Sequence, residues 1–304
     1  MFVRVEATPD NEPRPGGYPS HQHKPAQFAP TASAADITTL EETIRYAIKF
    51  KVNAILITDA DQVAVGVVTK TDLMGAYYAG LPLSTPAASI MVGPPLFCHL
   101  DDSLDTALDG MRTHKIHRLY VREAAAAPVV GVLAYPDIVG LLYRYCHQCD
   151  KNLRRNTGDS EDLLADHVHL REVMTPGVFA LGANDSLLQV MEGLAAHKFG
   201  ALLITGEDGA PVGVISKTDL IVAYKHQTPP EAPAHTVMTR RVEACDCQDI
   251  LVNALRRMIF ADVSRLFVYR ESPRHIVGVF SLSDATRFRS GTCRACVSSR
   301  IRPH

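Results

Sequence analysis

Apolar positions along this chain change their spacing in a fixed order, which is easiest to read between residues 178 and 224. Val178–Leu181 is a short apolar run, and Leu187, Val190, Met191 and Leu194 follow it at helical spacing. Asp185 and Ser186 stand before that stretch, as a helix N-cap requires. Ala201–Thr205 and Val212–Ile215 are runs of strand length, joined by the turn residues Glu207–Gly209. Ser216 then opens a second helical pattern through Leu220, Ile221 and Tyr224. The pattern predicts strand, helix, strand, strand, helix.

The same order fits residues 96–142 and 242–288, and a first copy beginning near Phe28. A repeated phrase holds the copies in register. GVVTKTD at Gly66–Asp72 returns as GVLAYPD at Gly131–Asp137, GVISKTD at Gly213–Asp219 and GVFSLSD at Gly278–Asp284. The glycines are 65 positions apart within each half and 147 apart between halves. Two equivalent halves of two copies each account for that register. One β-α-β-β-α unit leaves an apolar sheet face uncovered, so copies must pair. The expected fold is therefore α/β (α+β), with four such repeats forming two paired modules packed about a pseudo-twofold axis. The expected boundaries are a disordered tail over 1–27, modules over 28–149 and 169–292, a linker over 150–168, and a C-terminal tail over 293–304.

Composition narrows the class. A chain of 304 residues with 46% hydrophobic and 21% charged content suits two globular domains. A formal net charge of −2 argues against broad electrostatic capture of nucleic acid or an anionic membrane. The apolar stretch 129–142 is interrupted by Pro136 and Asp137 and is too short to span a bilayer. The N-terminus lacks the basic-then-apolar order of a secretory signal, and 7 cysteines suit a reducing compartment better than a disulfide framework. The expected location is cytoplasmic.

The repeated phrase carries the candidate chemistry. It ends a strand, places a hydroxyl at the start of the next helix, and puts an acid three positions later. Read structurally, Thr/Ser-x-x-Asp is close to a capping box that stabilises the helix by roughly 1 kcal/mol. Read functionally, a helix N-terminus favours a phosphate, and an ionised Asp accepts both hydroxyls of a ribose. No GxSxG, HExxH or Walker phosphate loop is present, and no general base stands near these hydroxyls in sequence. Binding without catalysis is the expectation.

On these phrases the chain resembles the cystathionine β-synthase (CBS) domain family over residues 28–289, nearly all of the patterned sequence. The resemblance implies paired repeats that bind adenosine-containing ligands in the cleft between them. It carries the ribose role to Asp72, Asp219 and Asp284, with Thr69, Ser216 and Ser281 as hydroxyl partners. HKIHRLYV at His114–Val121 resembles the phosphate-contacting strand start of the regulatory gamma subunits of AMP-activated protein kinase. That likeness implies phosphate contacts from His117 and Arg118. In copy four the equivalent positions are Ser264 and Arg265, and copies one and three carry Asn53–Ala54 and Gly200–Ala201 there. One cation per half implies one well-made phosphate site per half. Copy two departs from the phrase, with Ala134 in place of the hydroxyl and Pro136 before Asp137. For Arg118 and Arg265 a surface or interface ion pair is the alternative role.

A second recurrence lies outside the family pattern. Cys146 and Cys149 match Cys293 and Cys296 at the same 147-residue offset. Two CxxC pairs could give four thiolates to zinc or an iron–sulfur cluster, act as redox dithiols, or sit unremarkably at helix ends. Cys98 and Cys245 also match, but in apolar strands where a buried thiol is ordinary core. Two functions follow as expectations. The first is a non-catalytic regulatory sensor of AMP, ADP or ATP, in the manner of an energy sensor controlling another protein. The second is a metal- or redox-responsive interaction protein with the repeats as scaffold. The partners implied are an adenosine-containing small molecule, a regulated protein and a second copy of the chain in a homodimer.

Overall fold

The structure is a computed structural model that describes residues 33–35, 38–124, 127–139 and 168–287. In copy one, β1 (Ser33–Ala35) runs parallel to β2 (Ala54–Thr58), which pairs antiparallel with β3 (Ala64–Thr69). Helix α1 (Leu40–Lys49) lies between β1 and β2, and α2 (Lys70–Tyr78) follows β3. Copy two repeats the order with β4 (Phe97–His99), α3 (Leu104–Thr113), β5 (Arg118–Arg122), β6 (Val129–Ala134) and a helix α4, described over 135–139. A short helix α5 (Leu170–Val173) and strand β7 (Thr175–Pro176) lead into copy three. That copy comprises β8 (Ala180–Gly182), α6 (Leu187–Ala196), β9 (Ala201–Thr205), β10 (Pro211–Ser216) and α7 (Lys217–Lys225). Copy four comprises β11 (Ala244–Asp246), α8 (Leu251–Ala261), β12 (Arg265–Arg270), β13 (Ser272–Ser281) and α9 (Leu282–Arg287).

Local chemistry sets these elements. Helix α1 starts in a capping box formed by Thr39 and Glu42, and it buries Leu40, Ile44 and Ala47 on one face. Its partner β2 is buried along its whole length, which is why AILIT is apolar up to Thr58. The glycine of the repeated phrase serves a close approach. A Cβ at Gly66 would stand 2.5 Å from Met91 Sδ, and at Gly213 or Gly278 it would stand 2.7 Å from Met238 or Met174 Sδ. Each methionine belongs to a segment that adds its backbone to the sheet, through the bridges Val67–Val92 and Val214–Thr239 and through β7 on β13. The arm before copy three thus closes the sheet of copy four.

Two kinds of interface join the copies. Sheets face each other within a half: Leu56, Tyr120 and Val132 form one buried cluster between copies one and two, and Leu203, Ala244 and Phe267 form its counterpart between copies three and four. Helices meet across the halves. Ile44, Leu73 and Tyr77 of copy one share a core with Val190, Leu220 and Tyr224 of copy three, and Val139 of copy two enters the core of copy four. Reciprocal contacts at the 147-residue offset define the pseudo-twofold relation. Tyr77 Oη donates to the Thr228 carbonyl at 2.6 Å, and Tyr224 Oη donates to the Leu81 carbonyl at 2.5 Å. Their rings stack at 5.1 Å. Among the described residues, no helix is long and apolar enough to cross a membrane.

Candidate functional site

The phrase folds as a capping box in each copy that has the hydroxyl. Asp72 Oδ2 accepts from Thr69 N and Thr69 Oγ1, each at 2.7 Å. Asp219 Oδ2 accepts from Ser216 N and Oγ at 2.7 and 2.6 Å, and Asp284 Oδ2 from Ser281 N and Oγ at 2.8 and 2.6 Å. One carboxylate oxygen is thereby committed to the fold, while Oδ1 of Asp72 and Asp219 lies outside the box. In copy two Asp137 still accepts from Ala134 N at 2.8 Å, so the carboxylate keeps its place without the hydroxyl. Burial raises the Asp137 pKa, opposed by that N–H and by Arg118.

Between these helix starts lies a cluster of cations, two of them lysines that the expectation of one cation per half overlooked. Copies one and three, which lack a cation at the His-Arg position, supply Lys70 and Lys217. Lys70 is only 9% exposed, and its Nζ crosses the pseudo-axis to donate to Thr218 Oγ1 at 2.8 Å. Lys217 Nζ donates to Thr71 Oγ1 at 2.8 Å, completing the reciprocal pair. Burial lowers the Lys70 pKa, Arg118 adds to the effect, and Asp219 opposes it. Burial likewise lowers Lys217, with Arg265 adding and Asp72 opposing. Arg265 is pushed down to about 10 by burial, against the pull of Asp284. Burial also lowers His117, helped by Arg118, Lys217 and Arg265. These mutual effects place His117, Arg118, Lys70, Lys217 and Arg265 in one electrostatic neighbourhood to which all four copies contribute.

The structure therefore gathers the cations expected at a phosphate and sets Asp72, Asp219 and Asp284 within electrostatic reach of them. The cations of the two halves therefore neighbour one another across the pseudo-twofold axis. A signal for the lysines was available, since TKTD and SKTD place them at the 147-residue offset. Cys146, Cys149, Cys293 and Cys296 lie outside the described residues. Among the described residues no cluster of His, Cys, Asp or Glu could hold a metal ion. Cys98, Cys245 and Cys247 are buried free thiols, and burial pushes Cys98 up to about 11 and Cys245 to about 12. His169 is engaged locally, its Nδ1 2.6 Å from the Gln248 carbonyl.

Paired β-α-β-β-α repeats that enclose a charged centre between their helix starts define a class of tandem-repeat module. The chain belongs to the CBS domain family, whose model matches residues 87–144, 170–226 and 234–291. The first copy lies outside the matched residues and is recognised by its register and fold. The uncharacterised protein MJ1225 of Methanocaldococcus jannaschii is 25% identical over 181 residues, which cover 59% of this chain and 62% of the relative. The crystal structure of MJ1225, described as a candidate archaeal homologue of g-AMPK, matches with a TM-score of 0.71 at 18% identity, covering 86% of this chain and 97% of its own. An uncharacterised conserved protein of Pyrococcus horikoshii matches with a TM-score of 0.52 at 18% identity, covering 77% and 90%. These two likenesses concern the fold.

Proposed function

We propose that this chain is a regulatory sensor that binds an adenosine nucleotide between its repeats without turning it over. The observation that carries the reading is the cation cluster. Lys70, Arg118, Lys217 and Arg265 converge from four repeats although burial and mutual repulsion oppose their charges. Such a centre is unfavourable when empty and is relieved by a multiply charged anion. A phosphate supplies that charge and can accept the fork of an arginine. Asp72 and Asp219 retain Oδ1 as an acceptor beside the centre, which suits a ribose hydroxyl attached to the phosphate. Regulation follows if the ligand binds one packing of the halves better than another, because equal affinity shifts nothing. Lys70 and Lys217 bridge the halves, so a phosphate placed among these cations acts on the module interface directly. The test is calorimetric titration of the full chain with AMP and 2′-deoxy-AMP, repeated on Asp219→Asn. The reading expects weaker binding of the deoxy analogue to wild type and a smaller difference in the variant. Equal affinity for both nucleotides in wild type would refute the ribose assignment.

A further inference from the structure

The two inter-sheet clefts share one plan but differ in chemistry. By the two-residue period of a strand, Arg118 and Tyr120 share the face of β5 that meets copy one, as Arg265 and Phe267 share the face of β12 that meets copy three. Tyr120 is 3% exposed and packs with Leu56 of copy one. Its hydroxyl is buried and has no hydrogen-bond partner among the described residues. A buried donor left unpaired is unfavourable, and Phe267 at the equivalent position avoids it. Tyr120 interacts electrostatically with Arg118, which among the described residues makes no hydrogen bond or ion pair.

The second arginine is placed differently. Arg265 Nη1 donates to the Ala201 carbonyl at 3.2 Å, and its Nη2 lies 2.3 Å from where a Cβ on Gly200 would stand. Only a glycine admits the guanidinium there. Copy one carries Asn53 at the equivalent position, whose side chain adds the Cβ that Gly200 lacks. Arg265 is thus folded onto the backbone of copy three, whereas Arg118 interacts with the Tyr120 phenol and the Asp137 carboxylate.

We propose that the cleft between copies one and two is the tight site, where Arg118 and the Tyr120 hydroxyl together donate to a phosphate of the ligand, and that Gly200 weakens the second cleft by letting Arg265 bind the backbone. The assignment rests on the nucleotide reading and adds which cleft is used and by which donor. A hydroxyl donor beside a guanidinium selects an anionic acceptor, and a phosphate oxygen meets both.

The experiment is AMP titration of the full chain by calorimetry, with melting temperatures measured in parallel. Wild type is expected to show one strong and one weaker event. Tyr120→Phe, which copies Phe267, should weaken the strong event about tenfold or more, as loss of a hydrogen bond to a charged group does. The same variant should melt no lower than wild type without ligand. Gly200→Asn, which copies Asn53, should strengthen the weaker event. An unchanged strong event in Tyr120→Phe overturns the proposal and leaves the hydroxyl a packing or water-bound group. If wild type takes no AMP, the nucleotide reading fails separately, and inorganic phosphate becomes the probe. Thermal protection by phosphate that depends on Tyr120 then supports the anion cleft, and protection independent of Tyr120 overturns it.

Discussion

Replacing Arg265 with methionine should stabilise the protein when no ligand is bound. The arginine pKa falls from 12.5 to about 10, with the attraction of Asp284 already included. At 1.36 kcal/mol per unit, this amounts to roughly 3 kcal/mol of unfavourable charge burial. The sign follows from linkage: a base whose pKa is lowered in the folded state destabilises the fold wherever both states are charged. That holds fully at neutral pH, and the penalty fades only as pH rises above about 10. Methionine also forfeits the bond to the Ala201 carbonyl, worth about 1 kcal/mol. A net gain of about 1–2 kcal/mol remains, or a rise in melting temperature of about 2–6 °C for modules of this size. Scanning calorimetry at pH 7.5 in a phosphate-free buffer measures it, and added AMP should protect the variant less than wild type. A ligand-free variant that melts several degrees lower would refute the reasoning, because Arg265 would then be a net structural contributor.

Four further outcomes follow from the geometry. Gly213→Ala sets a Cβ 2.7 Å from Met238 Sδ and 2.9 Å from the Thr239 carbonyl, so it should cost about 1–3 kcal/mol in chemical denaturation. Gly75→Ala has open space in helix α2 and should instead gain up to about 1 kcal/mol, which makes it the control. Tyr77→Phe with Tyr224→Phe removes both cross-axis hydrogen bonds and should cost about 2 kcal/mol in the same assay. His117 has a lowered pKa, so its contribution is absent above the unfolded value near 6.5. As pH falls from there through the lower folded value, its protonation should destabilise the ligand-free protein, and His117→Gln should flatten that part of the pH–stability profile.

The four-repeat plan was legible because its signals are local and repeated: the helical spacing of Leu187, Val190, Met191 and Leu194, the paired strands, and the Thr/Ser-x-x-Asp boxes that the structure forms. The glycine in each phrase was legible as a marker but not as a cause. Its reason is a methionine from an arm that precedes a different repeat, as with Met174 on Gly278, and strand spacing carries no trace of that pairing. The same holds for the packing of copy one against copy three, which depends on how whole helices meet. The candidate site was half legible. Arg118 and Arg265 stand at one aligned position, whereas Lys70 and Lys217 stand in another part of the repeat and join them only through the pseudo-twofold axis. Gly200 carries its meaning only beside Arg265, 65 residues later in the chain.

On the proposed function, the cation centre holds the phosphate of an adenosine nucleotide. The most direct test of this is a side-by-side titration of the purified full chain with AMP and with adenosine, which lacks the phosphate. Binding of AMP at least tenfold tighter than adenosine, lost when Arg118 is replaced by alanine, is the predicted result. Equal binding of the two, or no binding of AMP, would contradict it.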